Sequence, residues 1–135
     1  MIGSKVIRVG NNKDVYEVVV DRAITYITGE SGTGKTYFAD CIRSALDDSN
    51  SDYILESDVP IEVIWSVDSI EKCSLTKDYI YIIDEDICSS LVENRSKRSI
   101  DAFNTLLGMF RRKKTEPYYT NAYFIFMTRQ QLLNV

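Results

Sequence analysis

Residues 29 to 36 read Gly29-Glu30-Ser31-Gly32-Thr33-Gly34-Lys35-Thr36 and fill every fixed position of the pattern G-x-x-x-x-G-K-[ST]. The constraint is steric before it is chemical. Main-chain amides can close around a polyphosphate only where glycines remove the Cβ atoms that would block the approach, and where the turn runs into a helix N-terminus. Such a loop therefore requires a strand before it and a helix after it. The run Ala23-Ile24-Thr25-Tyr26-Ile27-Thr28 supplies the first, and Phe38, Ala39, Ile42, Ala45 and Leu46 fall on one face of a helix begun at Gly34. In that setting Lys35 is placed to neutralise the β- and γ-phosphates, and Thr36 to offer its hydroxyl to Mg²⁺.

Other chemistries are excluded by what the chain lacks. Its 135 residues contain no histidine, so histidine-based general bases, activated nucleophiles and metal sites are ruled out, and carboxylates and cations must carry any catalysis. The three cysteines, Cys41, Cys73 and Cys88, are odd in number and lack C-x-x-C spacing, which points to a reducing cytoplasm. The N-terminus has no signal-peptide build. The longest apolar stretches, Tyr79 to Ile83 and Ala122 to Met127, are of strand length, far below the roughly 20 residues that span a bilayer, so no membrane segment is expected. At 44% hydrophobic and 27% charged residues the composition is that of one globular domain over residues 1–135, short for a complete nucleotide-hydrolysing fold.

The order of elements follows from periodicity and turn formers. Lys5 to Val9 and Val15 to Val20 are β-branched runs joined by the loop 10–14, and predict an N-terminal hairpin. Residues 47–52 form a polar loop. Pro60 opens a strand over Ile61 to Ser66, and Asp68-Ser69-Ile70-Glu71 has the form of a helix N-cap with its box partner. A near-continuous apolar strand over Asp78 to Ile83 is expected to be covered on both faces. A helix over 96–113 follows, with Ile100, Phe103, Leu107 and Phe110 as its apolar face, and Ala122 to Met127 gives a last buried strand. Net charge is −4, but residues 95–114 alone carry +6. This basic segment reads either as a solvated helix end suited to the helix dipole or as a nucleic-acid or partner patch.

The strand Tyr79-Ile80-Tyr81-Ile82-Ile83 ends in Asp84-Glu85-Asp86. Apolar residues followed by Asp-Glu form the Walker B pattern, at the carboxyl end of a strand where open α/β sheets bind ligands. Asp84 is the expected Mg²⁺ ligand and Glu85 the group that polarises the attacking water, which favours hydrolysis over transfer to a second small molecule.

With Walker A at 29–36, Walker B at 79–85 and one strand between them, residues 23–129 resemble the additional-strand, catalytic-glutamate class of P-loop NTPases. The ending Phe124-Ile125-Phe126-Met127-Thr128-Arg129 is similar to that of signal-transduction ATPases related to the AAA+ group, and to the same region of small bacterial ATP-binding proteins. The resemblance implies a three-layer α/β P-loop NTPase fold with a mainly parallel central sheet, the hairpin added at its N-terminus, and Ala122 to Met127 between the other two motif-bearing strands. It implies Thr128 and Arg129 as sensors of the γ-phosphate, and ATP with Mg²⁺ as cofactors. ATP is preferred to GTP because no Asn-Lys-x-Asp sequence occurs. The class has a fifth core strand and often a helical lid with a second arginine. Without them the expectation is a fragment of a longer protein, or a domain whose phosphate-loop strand has its edge covered by the hairpin or by a partner, including a second copy. Arg95, Arg98, Arg111 and Arg112 are candidate arginine fingers in trans, and Tyr16 and Arg8 candidate base contacts. The activity implied is a slow Mg-dependent ATPase. Its rivals are a P-loop kinase with Arg111 and Arg112 in a lid, and a non-hydrolysing nucleotide-sensing module.

Overall fold

The computed structural model describes residues 3–28, 35–47, 52–71, 75–92, 96–116 and 119–128, with the backbone alone at Lys35, Thr36 and Val92. Along the chain run β1 (Lys5–Gly10), β2 (Val15–Val20), β3 (Ile24–Thr28), α1 (Lys35–Leu46), β4 (Ile54–Ser57) and β5 (Ile61–Ile64). They are followed by α2 (Val67–Glu71), β6 (Ile80–Ile83), α3 (Glu85–Val92), α4 (Lys97–Arg111) and β7 (Tyr123–Thr128).

These strands form two sheets of opposite kind. One is antiparallel with three strands in the order β2-β1-β4, and the other parallel with four in the order β3-β7-β6-β5. The expected three-layer P-loop NTPase fold is therefore corrected to a small mixed set of sheets with, among the described residues, four helices, a different topology. The cause lies in β4, a four-residue strand not expected from the sequence. Its register against β1, from Ile7 opposite Ser57 to Gly10 opposite Ile54, occupies the free edge of the hairpin and makes it the core of a separate sheet. The hairpin accordingly does not pair with β3, and the expectation that it covers that edge fails. β7 does lie between β3 and β6, with Ile24 opposite Phe124 and Ile83 opposite Phe126.

The central strands β6 and β7 of the parallel sheet are dry on both faces. Alternate residues of its central strands point to opposite sides. Tyr81, Ile83, Phe124 and Phe126 join Ile70, Leu91, Ala102, Leu106 and Met109 beneath the helices α2, α3 and α4. Ile80, Ile82, Tyr123, Ile125 and Met127 join Phe38 and Ile42 of α1 with Ile7, Val9 and Val20 of the antiparallel sheet. Phe124 is the centre of an aromatic group, with ring centroids 5.5 Å from Tyr81, 6.4 Å from Phe126 and 5.0 Å from Phe110.

The antiparallel sheet has one dry face only. On its outer face Val15, Val19 and Ile54 are exposed, and Arg8 pairs with Glu17 at 3.4 Å and Glu56 at 3.5 Å. Gly10 meets both neighbouring strands where the chain turns. A Cβ there would lie 2.2 Å from the Asp14 carbonyl oxygen. In the turn Asn11 Oδ1 accepts hydrogen bonds from the amides of Lys13 and Asp14, while Asn11 Nδ2 donates to the Tyr37 hydroxyl of α1 at 2.9 Å.

Two helices differ from expectation. In α4 the sheet-facing residues are Ser99, Ala102, Leu106 and Met109, so the apolar face is rotated from the one predicted: Ile100 is exposed and Phe103, Leu107 and Phe110 are only partly buried. Phe103, Leu107 and Phe110 still pack against the core from its margin, Phe110 edge-on to Phe124. Helix α2 begins at Val67, so Asp68 lies inside it and not at its cap. Asp68 and Glu71 instead both engage Arg98 of α4.

Candidate functional site

The three strands β3, β7 and β6 run parallel, so Thr28, Thr128 and Ile83 bring their carboxyl ends to one rim of the sheet. Residues 29–34 join Thr28 to Lys35, the first residue of α1. Glycines Gly29, Gly32 and Gly34, with Glu30, Ser31, Thr33 and Arg129, lie outside the described residues, as do the side chains of Lys35 and Thr36.

On this rim Asp84 follows the last residue of β6 directly and caps α3. Its Oδ1 accepts a hydrogen bond at 3.0 Å from the Ile87 amide, one of those the first turn of a helix leaves without a partner, and its carbonyl accepts the first i→i−4 bond of the helix from the Cys88 amide at 3.0 Å. Asp84 and Glu85 are thus arranged by helix capping, with Glu85 as the first residue of α3. This helix is the element the sequence reading left out between residues 86 and 96. The signal was present, since an acid at a cap followed by Glu85 and Asp86 in the first turn suits a helix N-terminus.

Asp84, Glu85 and Asp86 face Ala39, Asp40 and Arg43 of α1 across a cleft of ≈ 110 Å³ closed at its base by Met127. Two of the predicted site residues, Asp84 and Glu85, are thereby brought to one place. Thr128 is buried at the end of β7, directly opposite Thr28. The Asp84 side chain is only 15% exposed. Burial pushes its carboxyl above the ordinary carboxylate range. The Ile87 amide opposes this, the charge of Asp86 adds to it, and Arg43 offsets part of it.

Arg43 was not singled out in the sequence. Its Nη2 lies 4.0 Å from Asp84 Oδ2, and its guanidinium carbon 3.9 Å above the ring of Trp65, just past the end of β5. The available signals were its place three residues after Asp40 on α1 and the presence of a single tryptophan next to a strand end. The other candidate cations are placed differently. Arg8 is on the outer face of the antiparallel sheet, Arg98 is tied to α2, and Arg112 is 3.5 Å from Glu116. Arg111 ends α4 exposed, and Arg95 lies outside the described residues. Tyr16 packs edge-on against Tyr37 and Phe38.

The donor set suits a hard cation. Among the described residues no three acidic or thiol side chains are grouped to hold a metal by themselves. Mg²⁺ commonly needs only one or two carboxylates beside substrate phosphates, and the oxygen-only Asp84–Glu85 pair fits that demand. Among the described residues, too, no helix is long and apolar enough to cross a membrane.

No relative is found. No protein-family model matches the chain, and neither a curated protein nor a solved structure does.

Proposed function

We propose that this chain binds Mg·ATP and hydrolyses it slowly, in a cytoplasmic setting, with output through a protein partner or a second copy. The reading is carried by one observation: Asp84 and Glu85 stand on the rim where β3 leads through the G-x-x-x-x-G-K-[ST] sequence into α1. Glycines of the loop and the first amides of α1 are suited to a polyphosphate, and Lys35 to its β- and γ-oxygens. Thr36 and Asp84 would hold Mg²⁺, which when bound supplies positive charge against the phosphate oxygens. Glu85 would orient the attacking water, and Thr128 with Arg129 would report the terminal phosphate.

Calorimetry with ATP and Mg²⁺ tests this directly. Lys35→Ala is expected to abolish ATP binding, and Glu85→Gln to retain ATP without turning it over. Equal ATP affinity in Lys35→Ala and the wild type refutes the assignment. Phosphate release without an added acceptor supports hydrolysis, whereas strict dependence on an acceptor supports a kinase and overturns it.

A further inference from the structure

A half-buried carboxylate at the end of β6 meets a guanidinium from α1 that has a second, closer anchor. Asp84 Oδ1 is committed to the Ile87 amide, so Oδ2, the oxygen facing Arg43, is the one left to take a cation. The Arg43 contact to Oδ2 is long, at 4.0 Å, and made through one Nη atom, not through the paired fork of a tight arginine–carboxylate bond. The contact with Trp65 is close, 3.9 Å to the ring centroid, well inside the range in which the ring quadrupole attracts a cation. Arg43 is 55% exposed and has room to swing. Among the described residues lining the cleft, it is the one cation facing Asp40, Asp84, Glu85 and Asp86.

We propose that Arg43 is a stand-in cation for Asp84: anchored on Trp65, its guanidinium also occupies the Oδ2 side of the carboxylate before the metal arrives, and it gives up that side, keeping only the ring contact, when Mg²⁺ takes that oxygen. This rests on the Mg·ATP reading above and adds a positioning residue to it. Two consequences distinguish the stand-in from a merely structural ion pair. Removing the guanidinium must make Mg²⁺ easier to bind, because a competitor for the same oxygen is lost. Its withdrawal must also be felt by Trp65, the only tryptophan in the chain.

The experiment titrates the wild type, Arg43→Met and Arg43→Lys with MgCl₂ in the presence of a non-hydrolysable ATP analogue. Analogue binding is followed by calorimetry and Trp65 by its emission. Arg43→Met keeps the aliphatic stem and removes the charge. It is expected to reach half-saturation at a Mg²⁺ concentration lower by on the order of threefold, the scale of a partly exposed ion pair. Its Trp65 emission should lose the Mg²⁺-dependent change seen in the wild type. Arg43→Lys, which restores the charge, is expected to return the Mg²⁺ requirement toward that of the wild type. A requirement in Arg43→Met equal to or above that of the wild type, or wild-type emission unmoved by Mg²⁺, overturns the stand-in while leaving the nucleotide reading intact. Failure of the wild type to bind the analogue at any Mg²⁺ concentration removes both.

Discussion

The parallel sheet is covered on both sides and the antiparallel sheet on one, and this difference separates where charge matters from where it does not. In β6 and β7 every residue is buried, whereas β2 alternates and leaves Val15, Glu17 and Val19 to solvent. On the open face, Arg8, Glu17 and Glu56 are each more than half exposed, and such pairs contribute little to stability. At the rim of the doubly covered sheet, Asp84 is screened from water on most sides, and burial is the largest influence on its proton affinity. A carboxylate acquires chemical character where two dry layers end.

The largest test of this contrast is Phe124→Ala. Loss of the ring at the centre of the aromatic group is expected to cost about 3–5 kcal/mol, while Val19→Ser on the open face should stay within about 0.5 kcal/mol. Both are read from denaturant unfolding, and similar losses would break the contrast. Gly10→Ala asks whether the open sheet has a rigid point of its own. A Cβ 2.7 Å from Val15 Cα and still closer to the Asp14 carbonyl forces the turn to shift. The expected loss is about 1–3 kcal/mol, and a neutral outcome would show that the turn yields freely.

A smaller effect with a definite sign belongs to Asp84→Asn. The folded carboxyl holds its proton to higher pH than the unfolded one. Between those two values the native state binds more protons, so wild-type stability falls as pH rises through that window. Asparagine can still accept from the Ile87 amide but does not titrate. The stability of Asp84→Asn relative to the wild type should therefore climb from the ordinary carboxylate range upward and level off above the raised value. A difference that stays flat with pH would show that burial does not act on this carboxyl.

Several elements of the fold were legible, because they announce themselves through local rules. The unbroken apolar run before Asp84 marked a doubly covered strand, and Ser96 as N-cap of α4 falls where the helix was expected to begin. What escaped depends on distant partners. β4 is four residues long, and its weak alternation becomes a strand only because β1 offers it an edge. The rotation of α4 buries Ala102 more deeply than Phe103 or Phe110, an order that hydrophobicity alone does not favour. Arg43 resembles any surface cation on a helix until Trp65 and Asp84 are seen on either side of it.

Asn11 fastens the tip of the hairpin both to its own backbone and to Tyr37, near the start of α1. The ribbon and the helix cannot swing apart without breaking that link. A displacement of the first turn of α1 would therefore reach the tip of the hairpin directly, through the Asn11–Tyr37 hydrogen bond.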